Sequence, residues 1–361
     1  MTEDRMRPNK KIKVLVVDDS SFYRQTLSEM LKRSSKIDVI GVLSGGADTI
    51  HFLSKRKPDV IVLDLEMPAM DGFTLLRWLM SNSPLPVLVV SAHSEKSNVF
   101  KALELGAVDF LAKPTQRASF EILKIQQELL TKVELAATIP IEKLCVQAKR
   151  SADSLSIIAE PKQLPKLQGS RDLIEVVAIG ASTGGPPAVQ SIITRLPKNF
   201  SAIVAIAQHM PAGFTQYFAE RLNKVSELPV REAKHEEVVQ PGTVYVAPGG
   251  HHMAFEKKVD GIRFSIQTRM EIDKYTPSVD VLMKSAAHIY GKKTLGILLT
   301  GMGQDGKKGM RLIKEKGGAT LAEAEETAVV FGMPKEAILE GVVDKILPLY
   351  SIPEEIIRRC R

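Results

Sequence analysis

Val14-Leu15-Val16-Val17-Asp18-Asp19-Ser20 is an apolar run that stops at two carboxylates and a hydroxyl, and its reading decides the fold of the first part of the chain. A short unbroken aliphatic run suits a strand buried on both faces, as in a parallel sheet covered by helices. Comparable runs follow at Val39–Leu43, Val60–Leu63, Val87–Val90 and Val108–Leu111. Between them, Tyr23–Leu31, Ala47–Leu53, Thr74–Met80 and Asn98–Leu105 carry apolar residues at roughly helical spacing. The alternation predicts five strands interleaved with helices. A further helix is expected after Pro114, running through Ile122, Ile125, Leu129 and Leu130. The first expected domain spans residues 12–137.

Outward from there the regularity lapses. Pro140, Pro161 and Pro165 punctuate a Ser-, Lys- and Gln-rich stretch that reads as a linker over residues 138–171, with one helical segment around Ile141–Lys149. Apolar runs resume at Val176–Ile179, Ala202–Ala207, Val244–Val246, Leu295–Leu299, Ala319–Ala322 and Val342–Leu347. Helical patterns at Pro187–Leu196, Phe214–Leu222, Val279–Ile289 and Gly309–Lys316 follow most of them, and Phe255–Gln267 reads as a hairpin closed by Asp260-Gly261. Residues 172–361 are therefore expected to form a second doubly wound α/β domain.

Composition narrows the function classes. A chain of 361 residues has room for two such units. Its two cysteines, Cys145 and Cys360, form no disulfide or metal-ligand pattern, which favours a reducing interior. The polar, basic start Met1–Lys11 lacks the apolar segment of a secretion signal, and no apolar run is long enough to span a bilayer. The expectation is a cytoplasmic protein without membrane insertion. A net charge of +7 raises nucleic-acid binding, but aromatics are only 5% and do not interleave with the basic residues as base-stacking platforms do, so no nucleic-acid partner is expected.

In open α/β sheets, ligands bind beyond the carboxyl ends of the strands. Asp18 and Asp19 follow the first strand, Asp64 the third and Ser91 the fourth, while Lys113 lies just beyond the fifth. Converging carboxylates repel one another unless a hard cation sits among them, and carboxylate oxygens with water suit Mg²⁺. Lys113 and Ser91 would then help hold a phosphoryl group on Asp64. The blander reading is that Asp18, Asp19 and Ser20 cap the following helix. Pro114 is compatible with a cis Lys113–Pro114 bond.

VVDDS at 16–20, VLDLEMPAMDG at 62–72, VSA at 90–92 and DFLAKP at 109–114 resemble the receiver domains of two-component response regulators. The resemblance covers residues 12–125 and implies a flavodoxin-like fold. It implies that Asp64 accepts a phosphoryl group from a histidine kinase, with Asp18 and Asp19 helping to hold Mg²⁺ beside it. It also implies that Ser91 and Phe110 form the switch that senses the phosphoryl group. Phe110 by itself would be read as core packing.

Ile179-Gly180-Ala181-Ser182-Thr183-Gly184-Gly185-Pro186 follows a strand and precedes a helix in the second domain. Small residues there permit a sharp turn and close approach of a substrate. The turn resembles a nucleophile elbow, although its spacing is not G-x-S-x-G; a helix cap or phosphate loop is the alternative. A serine needs a base. His209 ends the next apolar strand, and consecutive strands are often neighbours. A lone strand-end histidine is often structural, and the adjacent His251 and His252 lack a third metal ligand. Asp305, just past the strand Leu295–Leu299, would orient the histidine, or merely cap the next helix. Gly301, Gly303 and Gly306 also spell a dinucleotide fingerprint, with Glu323 as a ribose partner. That reading puts the Asp305 carboxylate beside a pyrophosphate and leaves Ser182 and His209 unexplained.

AIGASTGG at 178–185, AQHMPAGFTQYFAERLN at 207–223, VYVAPGG at 244–250, PSVDVL at 277–282, LTGMGQDG at 299–306 and VVFGMPKEA at 329–337 resemble the catalytic domain of chemotaxis protein-glutamate methylesterases. The resemblance covers residues 173–361 and implies a Rossmann-like hydrolase domain. It implies Ser182 as nucleophile, His209 as base, Asp305 as orienting acid, the Met302 N–H as oxyanion donor, and Thr183 beside the same pocket. It implies hydrolysis of glutamate γ-methyl esters on chemoreceptors, with glutamine deamidation by the same chemistry, raised by phosphorylation and needing no cofactor in the esterase itself. Glu323 stands where the family usually shows glutamine, and Tyr275 where a basic or imidazole side chain is common. The intact set of Ser182, His209 and Asp305 speaks against a degenerate binding module. A strand-rich second half with glycine loops speaks against a DNA-binding effector.

Overall fold

The computed structural model describes residues 11–91, 96–113, 119–143, 173–270 and 273–360. The chain divides into two compact units, residues 1–157 and 158–361. Most of the expected linker (144–171), the end of the helix expected over 141–149, and Pro114 lie outside the described residues.

In the first unit, strands β1 (Ile12–Val17), β2 (Ile37–Leu43), β3 (Val60–Asp64), β4 (Val87–Ser91) and β5 (Asp109–Ala112) alternate with helices α1 (Ser21–Lys32), α2 (Gly46–Leu53), α3 (Gly72–Asn82), α4 (Lys96–Glu104) and α5 (Ser119–Ala136). The sheet is parallel with order β2-β1-β3-β4-β5. β3 and β4 are buried along their whole length, which is why they read as unbroken apolar runs. The Asp71 carboxylate accepts the Thr74 N–H at 2.7 Å and so caps α3.

The second unit holds a seven-stranded parallel sheet. Its strands are β6 (Val176–Ala181), β7 (Ile203–Gln208), β8 (Val230–Glu232), β9 (Val244–Val246), β12 (Thr294–Leu298), β13 (Ala319–Glu323) and β14 (Lys345–Leu347). The order is β14-β13-β12-β6-β7-β9-β8. The chain grows from β6 toward β8 on one side, then returns to lay β12 on the other side of β6. That reversal makes a crevice at the carboxyl ends of β6 and β12. The helices are α6 (Gly185–Ile193), α7 (Phe214–Val225), α8 (Val279–Tyr290), α9 (Lys307–Glu315), α10 (Met333–Leu339) and α11 (Ile352–Cys360).

The hairpin of β10 (His251–Lys258) and β11 (Gly261–Thr268) turns through Val259-Asp260, because Lys258 pairs with Gly261. It is one residue earlier than the sequence suggests. Phe255 and Phe264 from this hairpin pack at 5.0 Å, and Phe264 meets the Tyr245 ring edge-on at 4.7 Å. Tyr245 is fully buried, with its hydroxyl accepting the Gln240 N–H at 3.0 Å. The expected strand Val342–Leu347 shrinks to β14. Thr320 Oγ1 donates to the Val342 carbonyl at 2.8 Å and accepts the Asp344 N–H at 3.0 Å, which holds a turn there instead. No helix among the described residues is long and apolar enough to cross a membrane.

Candidate active site

In the first unit, Asp18, Asp19, Asp64 and Ser91 meet at the carboxyl edge of the sheet; all but Asp19 are buried. One oxygen from each of the three carboxylates lies within 4.8 Å of the others. Lys113 Nζ reaches Asp64 Oδ2 at 2.8 Å and Asp18 Oδ2 at 3.0 Å, and the Lys113 main-chain N–H donates to the Ser91 carbonyl at 2.8 Å. Burial pushes the Asp64 carboxyl up to about 6, opposed by Lys113 and assisted by the Asp18 charge. Burial alone would lower the Lys113 ammonium, but Asp64 and Asp18 hold it above its ordinary value.

Capping does not account for these acids. Ser20, the N-cap of α1, makes no side-chain cap hydrogen bond, and Asp18 Oδ1 instead accepts the Ser20 N–H at 2.8 Å. Three carboxylates outnumber the two cations beside them, the Lys113 ammonium and the Arg24 guanidinium, which donates to the Asp18 and Asp19 carbonyls at 2.7 Å. Among the described residues Asp64 Oδ1 is buried without a hydrogen-bond partner. An all-oxygen donor set with such an atom fits a hard divalent cation. Phe110 is buried, its ring centroid 5.2 Å from Lys132 Nζ, which also bonds the Phe110 carbonyl.

In the second unit, three adjacent strands deliver the predicted residues: β12 leads to Asp305, β6 to Ser182 and β7 to His209. Ala181 pairs with Gln208, so Ser182 and His209 each lie one residue past the last register pair of neighbouring strands, roughly 4.8 Å apart in the sheet. The Ser182 N–H donates to the Thr300 carbonyl at 3.0 Å, and the Ser182 carbonyl accepts the Gly185 N–H at 2.8 Å and Gln208 Nε2 at 2.9 Å. The turn is thus held by its main chain. Gly184, the N-cap of α6, adopts φ +76°, a conformation glycine reaches without penalty.

His209 Nε2 lies 2.9 Å from Asp305 Oδ2. That oxygen also accepts the Val279 N–H at 2.7 Å, while Oδ1 accepts from Ser278 Oγ and the Asp280 N–H, both at 3.0 Å, and from the Gly306 N–H at 3.1 Å. Burial would raise the Asp305 carboxyl, but the His209 hydrogen bond and the Asp280 and Val279 N–H groups hold it below the usual carboxylate range. An ionised carboxylate only accepts, so the His209 Nε2 carries a proton directed at Asp305. The Tyr275 ring stacks on the imidazole at 4.7 Å with 5° between planes.

Thr183 is buried, and its carbonyl accepts from Thr300 Oγ1 at 2.9 Å. Met302 is exposed, and among the described residues its N–H has no acceptor within the protein. A Cβ on Gly301 would stand 2.6 Å from the Ser182 Cβ and 2.6 Å from Met333 Sδ. Gly301→Ala is therefore expected to cost about 1–3 kcal/mol through overpacking, read as a lower Tm in thermal denaturation.

Two residues escaped sequence reading. Buried Gln208 clamps the carbonyls of both Ser182 and His209, at 2.9 and 3.1 Å; its one signal was a polar side chain closing an apolar strand. Ser278 caps α8 and reaches Asp305, and its signal was a serine before an apolar helical run. The dinucleotide reading fails on Glu323, which is fully buried and accepts the Thr300 N–H at 2.8 Å rather than facing a ribose. His251 is exposed and His252 buried, as alternation along a strand requires, so the pair makes no joint site.

Comparison with known proteins places both units in known families. Residues 177–356 match the CheB methylesterase family, and residues 14–123 match the response regulator receiver domain. The chain is similar to protein-glutamate methylesterase/protein-glutamine glutaminase 3 of Geobacter sulfurreducens, at 48% identity over 97% of this chain and 98% of that protein. It is 44% identical to protein-glutamate methylesterase/protein-glutamine glutaminase 1 of Myxococcus xanthus, over 94% of this chain and 95% of that protein. The crystal structure of the Thermotoga maritima CheB methylesterase catalytic domain covers 51% of this chain and 98% of its own, with 47% identity and a TM-score of 0.50. Near-complete alignment at such identity, across a receiver unit and a hydrolase unit, shows that the chain belongs to the family of protein-glutamate methylesterases/protein-glutamine glutaminases.

Proposed function

We propose that this protein is a cytoplasmic serine esterase that hydrolyses glutamate γ-methyl esters on chemoreceptors, and deamidates receptor glutamines, under control of phosphorylation at Asp64. The observation that carries the reading is the His209–Asp305 hydrogen bond of 2.9 Å, on a strand end adjacent to Ser182. Ser182 Oγ attacks the ester carbonyl while His209 takes its proton, and Asp305 stabilises the imidazolium. The Met302 N–H faces the charge that develops on the carbonyl oxygen, with Thr183 lining the same pocket. His209 then returns the proton to the leaving oxygen, methanol departs, and water attacks the acyl group with His209 again as base. A glutamine substrate releases ammonia by the same steps.

Asp18, Asp19 and Asp64 would hold Mg²⁺, which when bound neutralises charge on an incoming phosphoryl group. Lys113 contributes a second positive charge at Asp64, Ser91 a hydroxyl, and buried Phe110 on β5 the switch position. The phosphodonor is a chemotaxis histidine kinase. The reading is tested by methanol release from methylated receptor membranes, with and without a small phosphodonor. Stimulation by the phosphodonor is expected to vanish in Asp64→Ala and in Mg²⁺-free buffer. Equal stimulation of Asp64→Ala and the unsubstituted protein would refute the regulatory part.

A further inference from the structure

The hydrolase unit contains a second histidine–carboxylate pair that the ester chemistry does not use. His252 on β10 is buried, and its Nε2 lies 2.8 Å from Asp273 Oδ2. Its Nδ1 faces the Ser278 N–H at 3.1 Å. A backbone N–H can only donate, so Nδ1 is the acceptor, and the neutral ring carries its proton on Nε2. Asp273 matches that tautomer. The His252 hydrogen bond and the Met270 N–H, at 2.7 Å, hold its carboxyl below the ordinary range, so it is an acceptor only.

The two partners of His252 are the ends of one short segment, 273–278. Between them Tyr275 stacks on the His209 ring. At the far end Ser278 Oγ donates to Asp305 Oδ1, and the Val279 and Asp280 N–H groups that follow bind the same carboxylate. The segment therefore crosses the His209–Asp305 pair and touches both members. His252 closes it like a clasp, gripping a side chain at one end and a main-chain N–H at the other.

We propose that His252 is a positioning residue for the esterase reaction: held by Asp273 in the tautomer whose Nδ1 accepts the Ser278 N–H, it fixes Ser278 and the 273–278 segment, and through them the Asp305 carboxylate and the His209 ring. The proposal rests on the reading of Ser182, His209 and Asp305 given above. An ordinary core histidine would need only to be satisfied. This one satisfies two groups whose placement sets the orientation of the base.

The two ring nitrogens can be replaced separately. His252→Asn keeps an oxygen acceptor near the Nδ1 position and loses the Nε2 donor. His252→Gln keeps an amide N–H near the Nε2 position and loses the acceptor for Ser278. In the full-length protein, His252→Gln is expected to lower kcat for methanol release by about 10- to 100-fold, the scale of a small misplacement of a reacting group, with KM little changed. His252→Asn is expected to recover most of that loss. In parallel, the downfield proton NMR resonance of His209 Nε2–H, read without substrate, should move or broaden in His252→Gln and stay closer to its original position in His252→Asn.

Equal losses of kcat in the two variants, or an unmoved His209 resonance in His252→Gln, would overturn the proposal and leave His252 a packing residue. If His252→Gln fails to fold, Asp273→Ala takes its place. It leaves the ring present but removes the partner that selects its tautomer, and it is judged by the same resonance. Failure of the esterase reading itself looks different: the unsubstituted protein would release no more methanol than Ser182→Ala, whatever the resonance does.

Discussion

Ser182→Ala is expected to reduce methanol release from methylated receptors by on the order of 10⁴- to 10⁶-fold, the scale seen when a serine nucleophile is removed from a hydrolase that keeps its other groups. The loss should be confined to chemistry. The turn is held by the Ser182 N–H to Thr300, and by the Ser182 carbonyl to Gly185 and Gln208, none of which involves the hydroxyl. Alanine fits where serine stood. Thermal denaturation should give an unchanged Tm within a degree or two, and receptor binding should persist. Methanol release at the unsubstituted rate would eliminate Ser182 as nucleophile. A parallel fall in Tm would instead trace the loss to misfolding.

Asp305→Asn is expected to lower kcat by about 10³- to 10⁴-fold, because an amide nitrogen facing Nε2 favours the wrong imidazole tautomer. Unlike the serine change, this one should also destabilise the unit. Asp305 accepts from Ser278, Val279, Asp280, Gly306 and His209, and an amide cannot accept at both positions. Leaving one such buried donor unmatched costs about 1–3 kcal/mol. The pH dependence has a definite sign. Because the Asp305 carboxyl is held below its ordinary value of 3.8, its charge adds stability above that pH, and this is lost as the pH falls through the lower folded value. The Asn variant should lack that acid-dependent component, measured as Tm against pH between neutrality and the acid limit.

Much of this was legible in residue order. The aliphatic runs of the first unit gave its five strands to within a residue or two; β3 and β4, buried along their whole length, carry no polar interruption before their last residue. In the second unit the same rule found β6, β7, β9, β12 and β13. It missed β8, the three-residue strand Val230–Glu232 with only its first residue buried, and overextended β14, where Thr320 imposes a turn. The candidate residues were recognisable as polar side chains stopping apolar runs. Gln208 obeyed that rule too, yet its role is to clamp two carbonyls, a matter of direction that residue type does not encode.

By itself the sequence determined two parallel α/β units, the carboxyl edge of each sheet as its working face, and the residue types available there. Those follow from local periodicity and from where an apolar run ends. Only the tertiary structure decided that β12 lies against β6, so that Asp305 reaches His209 across 96 residues of chain. Strand order depends on which helix faces bury one another, a non-local free energy that no window of sequence contains. The same packing set the direction of the His209–Asp305 bond: the His209 hydrogen bond, with the N-terminal N–H groups of α8, holds the Asp305 carboxyl below its ordinary value, and an ionised Asp305 takes the Nε2–H.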